Sequence, residues 1–376
     1  ISGFGSINVG KPRNIRNKKS LQRLRLPMRD RIFHKRLGWG VIPAYLALII
    51  VFVVLLSGCA LHANKICTAR RAAFDMGSTT LKMKTAEVDT CRHKTIGIFH
   101  QREVKVPFAE NFRDRLLSRD VQERGIEQLQ SMKKEAQSHN AQRFAGAATA
   151  VFRQAANTSR YLQEIKNKTG INIRMISQDE EAILGYEAAL AQTHEVSENI
   201  VVWDIGGNSM QMIMKGSGGK FTIYRGQMAS IPFKNQILTK IHHQMAGIQV
   251  SPNPIGRGNL AEALKIAMNA ASDLPDEIKN QIHRMGTVVI GIGGVHNQSI
   301  RKQVKKVASY SRENIMNVLQ DRLDLTDEQI GGQYADTEVS NLILVLGFMQ
   351  KMEIEEVLLA DVNLTDGILV DPAFWR

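Results

Sequence analysis

Cysteine is scarce. Three residues in 376, Cys59, Cys67 and Cys91, are too few for a disulfide-built scaffold. Charge is missing altogether from residues 37–58. A basic excess is nearly missing from everything that follows. The chain holds 49 Lys and Arg against 36 Asp and Glu, a net +13, but +10 of that falls within residues 1–36 and only +3 on residues 59–376. Nucleic acid is therefore disfavoured as a partner, because such binding calls for a basic face on the domain itself. What is present is a globular balance of 43% hydrophobic and 23% charged residues, which excludes a mainly disordered chain. The length suits two or three domains.

The basic flank, the apolar run from Val41 to Leu56 and the small-residue ending Leu56-Ser57-Gly58-Cys59 stand in the order of a secretory signal. The ending resembles a bacterial lipobox, which implies acylation of Cys59 and membrane attachment through the N-terminal lipid. An uncleaved transmembrane helix is the alternative, since the run approaches the ~20 residues a span needs. Both readings leave the basic flank in the cytoplasm and the remainder outside it. Ala60 stands where Asp would mark inner-membrane retention. The lipoprotein reading thus points to the bacterial cell envelope, the domain facing the periplasm from the outer membrane. The chain opens on Ile1, and Met28 begins an ordinary signal start. Residues 1–27 read either as an upstream extension of the frame or as a cytoplasmic tail, 28–58 as the signal peptide and 59–70 as a tether.

Beyond the tether, strands alternate with helices, which predicts an α/β architecture. Strands are expected over about 72–77, 80–88 and 94–104, a helix over 120–138, a strand at 142–148 and one helix over 151–169. Strand 171–176 leads to helix 178–190. A polar break at 192–199 precedes a second half with strands at 200–204, 209–215, 220–225, 287–291 and 356–360. Helical segments are expected near 231–244, 258–273, 276–284 and 298–320, with an amphipathic helix at 338–351. If the first two strands pair antiparallel, facing residues sum to 157 or 158. Cys67 and Cys91 sum to 158, so the hairpin would bring them together; a disulfide and two free thiols both stay open.

The halves echo each other. Ala73-Phe74-Asp75-Met76-Gly77-Ser78-Thr79-Thr80 and Val202-Trp203-Asp204-Ile205-Gly206-Gly207-Asn208-Ser209 each read as strand, Asp-x-Gly turn, small polar residues, strand. Glycine permits a tight turn and close backbone approach, N–H groups and hydroxyls surround phosphate oxygens, and a strand-end aspartate suits Mg²⁺. Arg153 lies between the loops in an apolar helical setting, and arginine suits bidentate phosphate contact. Ser177 reads as an N-cap with Glu180 three residues on. Glu181, which capping does not explain, reads either as a cleft-facing group that takes a proton from water or as a favourable charge at the helix N-terminus. Gly291-Ile292-Gly293-Gly294 is a third glycine turn.

These motifs, in this order, resemble the exopolyphosphatase / guanosine pentaphosphate phosphohydrolase (Ppx/GppA) family over about residues 72–371. Ala148-Thr149-x-x-x-Arg153-x-Ala155-x-Asn157 resembles its arginine motif, Ile176-Ser177-x-x-Glu180-Glu181-Ala182 its catalytic-glutamate motif, and Leu364-Thr365-Asp366-Gly367 a late turn. The resemblance implies two ribonuclease H-like domains of the actin–hexokinase–Hsp70 superfold, here 71–191 and 192–376, with a cleft between them. It implies a phosphoanhydride hydrolase in which Glu181 is the catalytic base. Ser78, Thr79, Arg153, Gly206, Gly207, Asn208, Ser209, Gly293 and Gly294 would bind substrate, and Asp75, Asp204 and Gln211 would hold Mg²⁺ or Mn²⁺. Inorganic polyphosphate is the expected substrate for a protein outside the cytoplasm, and a homodimer stays open. There are departures. Asn208 replaces a glycine and Gln211 a metal-binding glutamate of the family, Gln178 replaces a glycine, and Thr365 an arginine. The alternative they leave open is a catalytically impaired lipoprotein that binds or senses polyphosphate or nucleotide phosphates.

Overall fold

The computed structural model describes residues 67–193, 199–246 and 250–376. Cys59, the signal segment and most of the tether lie outside the described residues. Strand β1 (Thr68–Met76) turns into β2 (Thr80–Asp89), which turns into β3 (Lys94–Lys105). The β1–β2 pairs sum to 157 throughout, from Thr68–Asp89 to Met76–Leu81. Beyond that ladder Cys67 and Cys91 are joined in a disulfide, with Cα atoms 5.3 Å apart. After a small hairpin at 112–117 come helix α1 (Arg119–Ser138), strand β4 (Arg143–Ala148), helices α2 (Ala150–Gln154) and α3 (Thr158–Thr169), strand β5 (Asn172–Met175) and helix α4 (Gln178–Thr193). The first sheet has the order β3-β2-β1-β4-β5. β1 is antiparallel to β2 and parallel to β4. Being central, β1 is buried on both faces from Arg71 to Met76, which is why Ala72, Ala73, Phe74 and Met76 do not alternate with polar residues; the charged exceptions are Arg71 and Asp75.

The second half repeats the plan. Strands β6 (Ile200–Ile205), β7 (Met210–Lys215) and β8 (Phe221–Gly226) are followed by helices α5 (Ser230–Gln236), α6 (Leu260–Ala271) and α7 (Asp276–Ile282) and strand β9 (Val288–Ile292). Then come strand β10 (Ser309–Ser311), helix α8 (Arg312–Arg322), helix α9 (Ala335–Lys351), strand β11 (Glu356–Leu359) and helix α10 (Leu364–Val370). The sheet order is β8-β7-β6-β9-β11-β10. In both sheets the first strand lies between the second and the fourth; the fourth is followed by β5 in the first sheet and by β11 in the second, where the short β10 forms the edge beyond it. That is the ribonuclease H-like arrangement, built twice.

Each sheet is covered on both faces. One face of the first carries Phe74, Met76 and Leu81 against Leu129 of α1 and Tyr161 and Ile165 of α3. Its other face is lined by Ala73, Ala86, Ala145 and Ala147, small enough for Leu364, Ile368 and Leu369 of α10 and Trp375 to pack onto it. Helix α4 packs Ala182, Tyr186 and Ala189 against Val202, Ile213 and Ile292 of the second sheet.

Three expectations change. The single helix over 151–169 is two helices. The backbone at Ala156 bonds instead to Arg115 O at 2.8 Å, and the Asn157 amide pairs with both backbone groups of Leu117. The stretch 298–320 is interrupted by the edge strand Ser309–Ser311, where Ser311 caps α8. Helix α9 is not amphipathic: every residue from Thr337 to Met349 is buried, so it serves as a core helix with neighbours all round.

Candidate active site

The two Asp-x-Gly turns are built alike. Gly77 N donates to Thr80 O at 2.9 Å, and Gly206 N donates to Ser209 O at 3.0 Å. These amides close the turns, so the phosphate-facing donors must be the N–H groups and hydroxyls after them. Both turns line one cavity of about 280 Å³. The loops touch there: a Cβ on Gly207 would lie 2.8 Å from Thr79 Oγ1, so only glycine allows this approach. Ser78, Thr79, Gly206, Gly207, Asn208, Ser209, Gly293, Gly294, Asp75, Asp204 and Glu181 all line the cavity. The Ser78 hydroxyl also accepts from Val151 N at 3.3 Å, at the start of α2.

Glu181 stands in the first turn of α4, whose start is fixed as a reciprocal cap. Glu180 N donates to Ser177 Oγ at 3.1 Å and Ser177 N to Glu180 Oε2 at 3.0 Å. Glu181 itself is only 9% exposed. Burial first of all, then the charges of Asp204 and Asp75, pushes its carboxyl up to about 7 against the lowering effect of Arg153. Arg153 is not on the cavity wall. Its Nη1 donates to Glu181 Oε2 at 2.8 Å and to Ile176 O at 3.2 Å. It holds the glutamate in place.

Burial also raises Asp75 and Asp204, each to about 6. Lys82 lies between them and counters both. For Lys82 burial alone would lower the pKa, but the carboxylates of Glu103, Asp75, Asp204 and Asp366 outweigh it and raise it. Sequence reasoning passed over Lys82, although a register sum of 157 sets it directly opposite Asp75. Lys105 and Lys302, also on the wall, left no such signal. Gln211 faces Asp204 across the β6–β7 ladder. It is 1% exposed, lies behind the cavity wall, and its Nε2 lacks a hydrogen-bond partner among the described residues. Asp366, in the late turn, pairs with buried Lys84 at 2.6 Å.

Among the described residues no group of three or more His, Cys, Asp and Glu side chains forms a ready metal cage. Mg²⁺ does not require one, since it is commonly held by one or two carboxylates together with water and phosphate oxygens. The wall fits that mode: carboxylates outnumber lysines on it by seven to three, an imbalance that attracts divalent cations. Asp75 and Asp204 are the residues that would contribute. Gly293 shapes the Asp204 side of the cradle. Its φ is +82°, and a Cβ there would lie 2.1 Å from Asp204 Oδ1. Gly293→Ala is therefore expected to destabilise the fold by about 1–3 kcal/mol and to displace Asp204. Urea unfolding together with Mg²⁺ titration would check both effects; an unchanged midpoint and Mg²⁺ response would refute them.

Residues 88–373 match the profile of the Ppx/GppA phosphatase family. A guanosine-5'-triphosphate,3'-diphosphate pyrophosphatase of Aeromonas hydrophila subsp. hydrophila is 24% identical over 311 residues, which is 79% of this chain and 58% of that protein. The chain thus spans little more than half the length of this curated relative. Among solved structures, a Ppx/GppA family member from Aquifex aeolicus superposes with a TM-score of 0.61 at 18% identity, covering 81% of this chain and 98% of that one. An exopolyphosphatase from Cytophaga hutchinsonii superposes with a TM-score of 0.64 at 14% identity, covering 80% and 96%.

Proposed function

The chain belongs to the Ppx/GppA phosphatase family, and from that premise we propose that it hydrolyses the terminal phosphoanhydride bond of inorganic polyphosphate or a related compound. The observation that carries this reading is Glu181, buried at the cavity wall and oriented by Arg153 at 2.8 Å, with both glycine loops beside it. A base titrating near 7 is matched to proton abstraction from water at neutral pH. In the proposed reaction Glu181 takes a proton from the attacking water. Backbone N–H groups and the hydroxyls of Thr79 and Ser209 orient the terminal phosphate, and Lys82 offsets part of its charge. Bound Mg²⁺ or Mn²⁺ would supply further charge neutralisation of the phosphate oxygens. Residues 71–191 and 192–376 act as the two lobes, with residues 364–375 returning to the first.

The test is phosphate release from polyphosphate by the purified protein with Mg²⁺ or Mn²⁺. Binding without release would favour the second reading, a binding or sensing protein. That reading draws on Gln211, a neutral amide beside Asp204. Gln211→Glu is expected to lower the Mg²⁺ needed for half-maximal activity by about tenfold or more, the range seen for groups that support metal ligands. No change would separate Gln211 from the metal.

The same reading places the protein in the bacterial envelope, anchored through Cys59. The charge order of residues 1–58 supports it, and the Cys67–Cys91 disulfide suits an oxidising compartment.

A further inference from the structure

Strand β3 is the edge of the first sheet and is exposed along most of its 12 residues. It carries Ile96, Ile98 and Phe99 at 56%, 50% and 40% exposure. The β2–β3 register skips Ile96 and Phe99, which stand as bulged residues without an opposite partner. Bulges of this kind twist an edge away from further strand pairing, so this edge is poorly made for adding a second copy of the chain. The adjoining turn exposes Arg92, His93 and Lys94. Arg70 lies over the Phe99 ring at 4.3 Å. Asp89 is drawn into the turn, where its Oδ1 accepts from Cys91 N and Arg92 N at 2.9 Å and its Oδ2 lies 3.8 Å from Arg92 Nη1, which leaves Lys94 and Arg70 as the cations without that pairing. Cations thus sit beside exposed apolar side chains at one end of the hairpin.

We propose that this end of the β2–β3 hairpin is a lipid-contact surface that rests on an anionic bilayer. The inference rests on the reading of Cys59 as the lipid anchor. The Cys67–Cys91 disulfide ties the turn to the start of β1, and Cys67 lies eight residues after Cys59. Eight extended residues reach at most about 28 Å, so an anchored chain keeps this turn close to the headgroups. Tethering raises the local concentration enough for a weak patch to engage, and a lipid chain plus a basic patch is the usual two-signal form of stable attachment. Arg92, Lys94 and Arg70 would meet anionic headgroups, with Ile96, Ile98 and Phe99 at the acyl boundary. The orientation has a functional result. Lys94 is level with Thr68 across the sheet, and Ile98 with Arg71; at about 3.3 Å per residue Asp75 on the cavity wall lies roughly 23 Å along the strand from the first and roughly 13 Å from the second. The cavity would then face the aqueous compartment and not the membrane.

The experiment uses the full chain reconstituted into vesicles of phosphatidylethanolamine and phosphatidylglycerol, and into vesicles of phosphatidylcholine alone. Flotation reads anchoring; amide hydrogen exchange over residues 92–99 reads the surface. The expected result is flotation with both vesicles, with exchange slowed by on the order of fivefold on the anionic ones. The slowing should vanish at high salt and in the double variant Arg92→Glu/Lys94→Glu, which still floats. Flotation with equal exchange on both lipids overturns the surface and leaves the anchor standing. Failure to float removes the anchor and the surface with it. Protection that follows protein concentration instead of lipid assigns the edge to a second copy and overturns the proposal.

Discussion

Glu181→Gln is expected to lower turnover by on the order of 10²- to 10⁴-fold, the usual contribution of a positioned general base. Glutamine keeps the size of the side chain and an oxygen to accept from Arg153 Nη1, so the α4 start and substrate binding should survive. The loss should appear in kcat with KM nearly unchanged. The wild-type pH profile supplies a second readout. The Glu181 carboxyl is raised to about 7, first by burial, and only its deprotonated form takes a proton from water. The rate should therefore fall as pH drops through about 7, and the residual rate of Glu181→Gln should lack that limb. An unaltered kcat, or a variant that retains the same acid limb, would remove Glu181 from the base role.

The second large effect concerns stability. Asp366→Leu removes the partner of Lys84, whose side chain is 4% exposed and bonded to both Asp366 oxygens at 2.6 and 2.7 Å. Leaving a buried charge unpaired typically costs about 3–5 kcal/mol. The same change deletes the acceptor for Asn363 N at 2.9 Å. Urea unfolding should show a loss of this size, and Lys84→Met/Asp366→Leu should recover much of it, because the uncompensated charge is gone. A single variant as stable as wild type would mean that Lys84 finds another partner or water.

The sequence made the alternation of strands and helices readable, and with it the doubled Asp-x-Gly turn. Both turns have local causes: a glycine amide bonding three residues ahead, after a strand that ends in aspartate. The β1–β2 register was readable to within one residue because a short turn fixes it. What stayed hidden depends on contacts far along the chain. The break between α2 and α3 is made by Arg115 and Leu117, about 40 residues earlier. Helix α9 reads as one-sided from its polar residues, yet Glu338, Ser340 and Asn341 are buried. Glu338 faces Lys302 and Arg322 at 3.4 Å, partners that no periodicity reveals. At the site, Arg153 looked like a phosphate ligand from its residue type. The fold places it one step back, on the glutamate. Lys82 stayed hidden because a lysine in an exposed-looking alternation gives no sign of facing four carboxylates.

Helix α10 and Trp375 close one face of the first sheet, where Arg71 Nη1 donates to Leu369 O at 2.7 Å and Trp375 Nε1 to Ile368 O at 2.7 Å. This sets an order of assembly. While the ribosome is still making the second half, the alanine face of the first sheet has no cover. The first lobe therefore cannot complete its core until residues 364–375 have emerged. Until then that lobe is a sheet with one bare face, open to whatever binds unfinished chains.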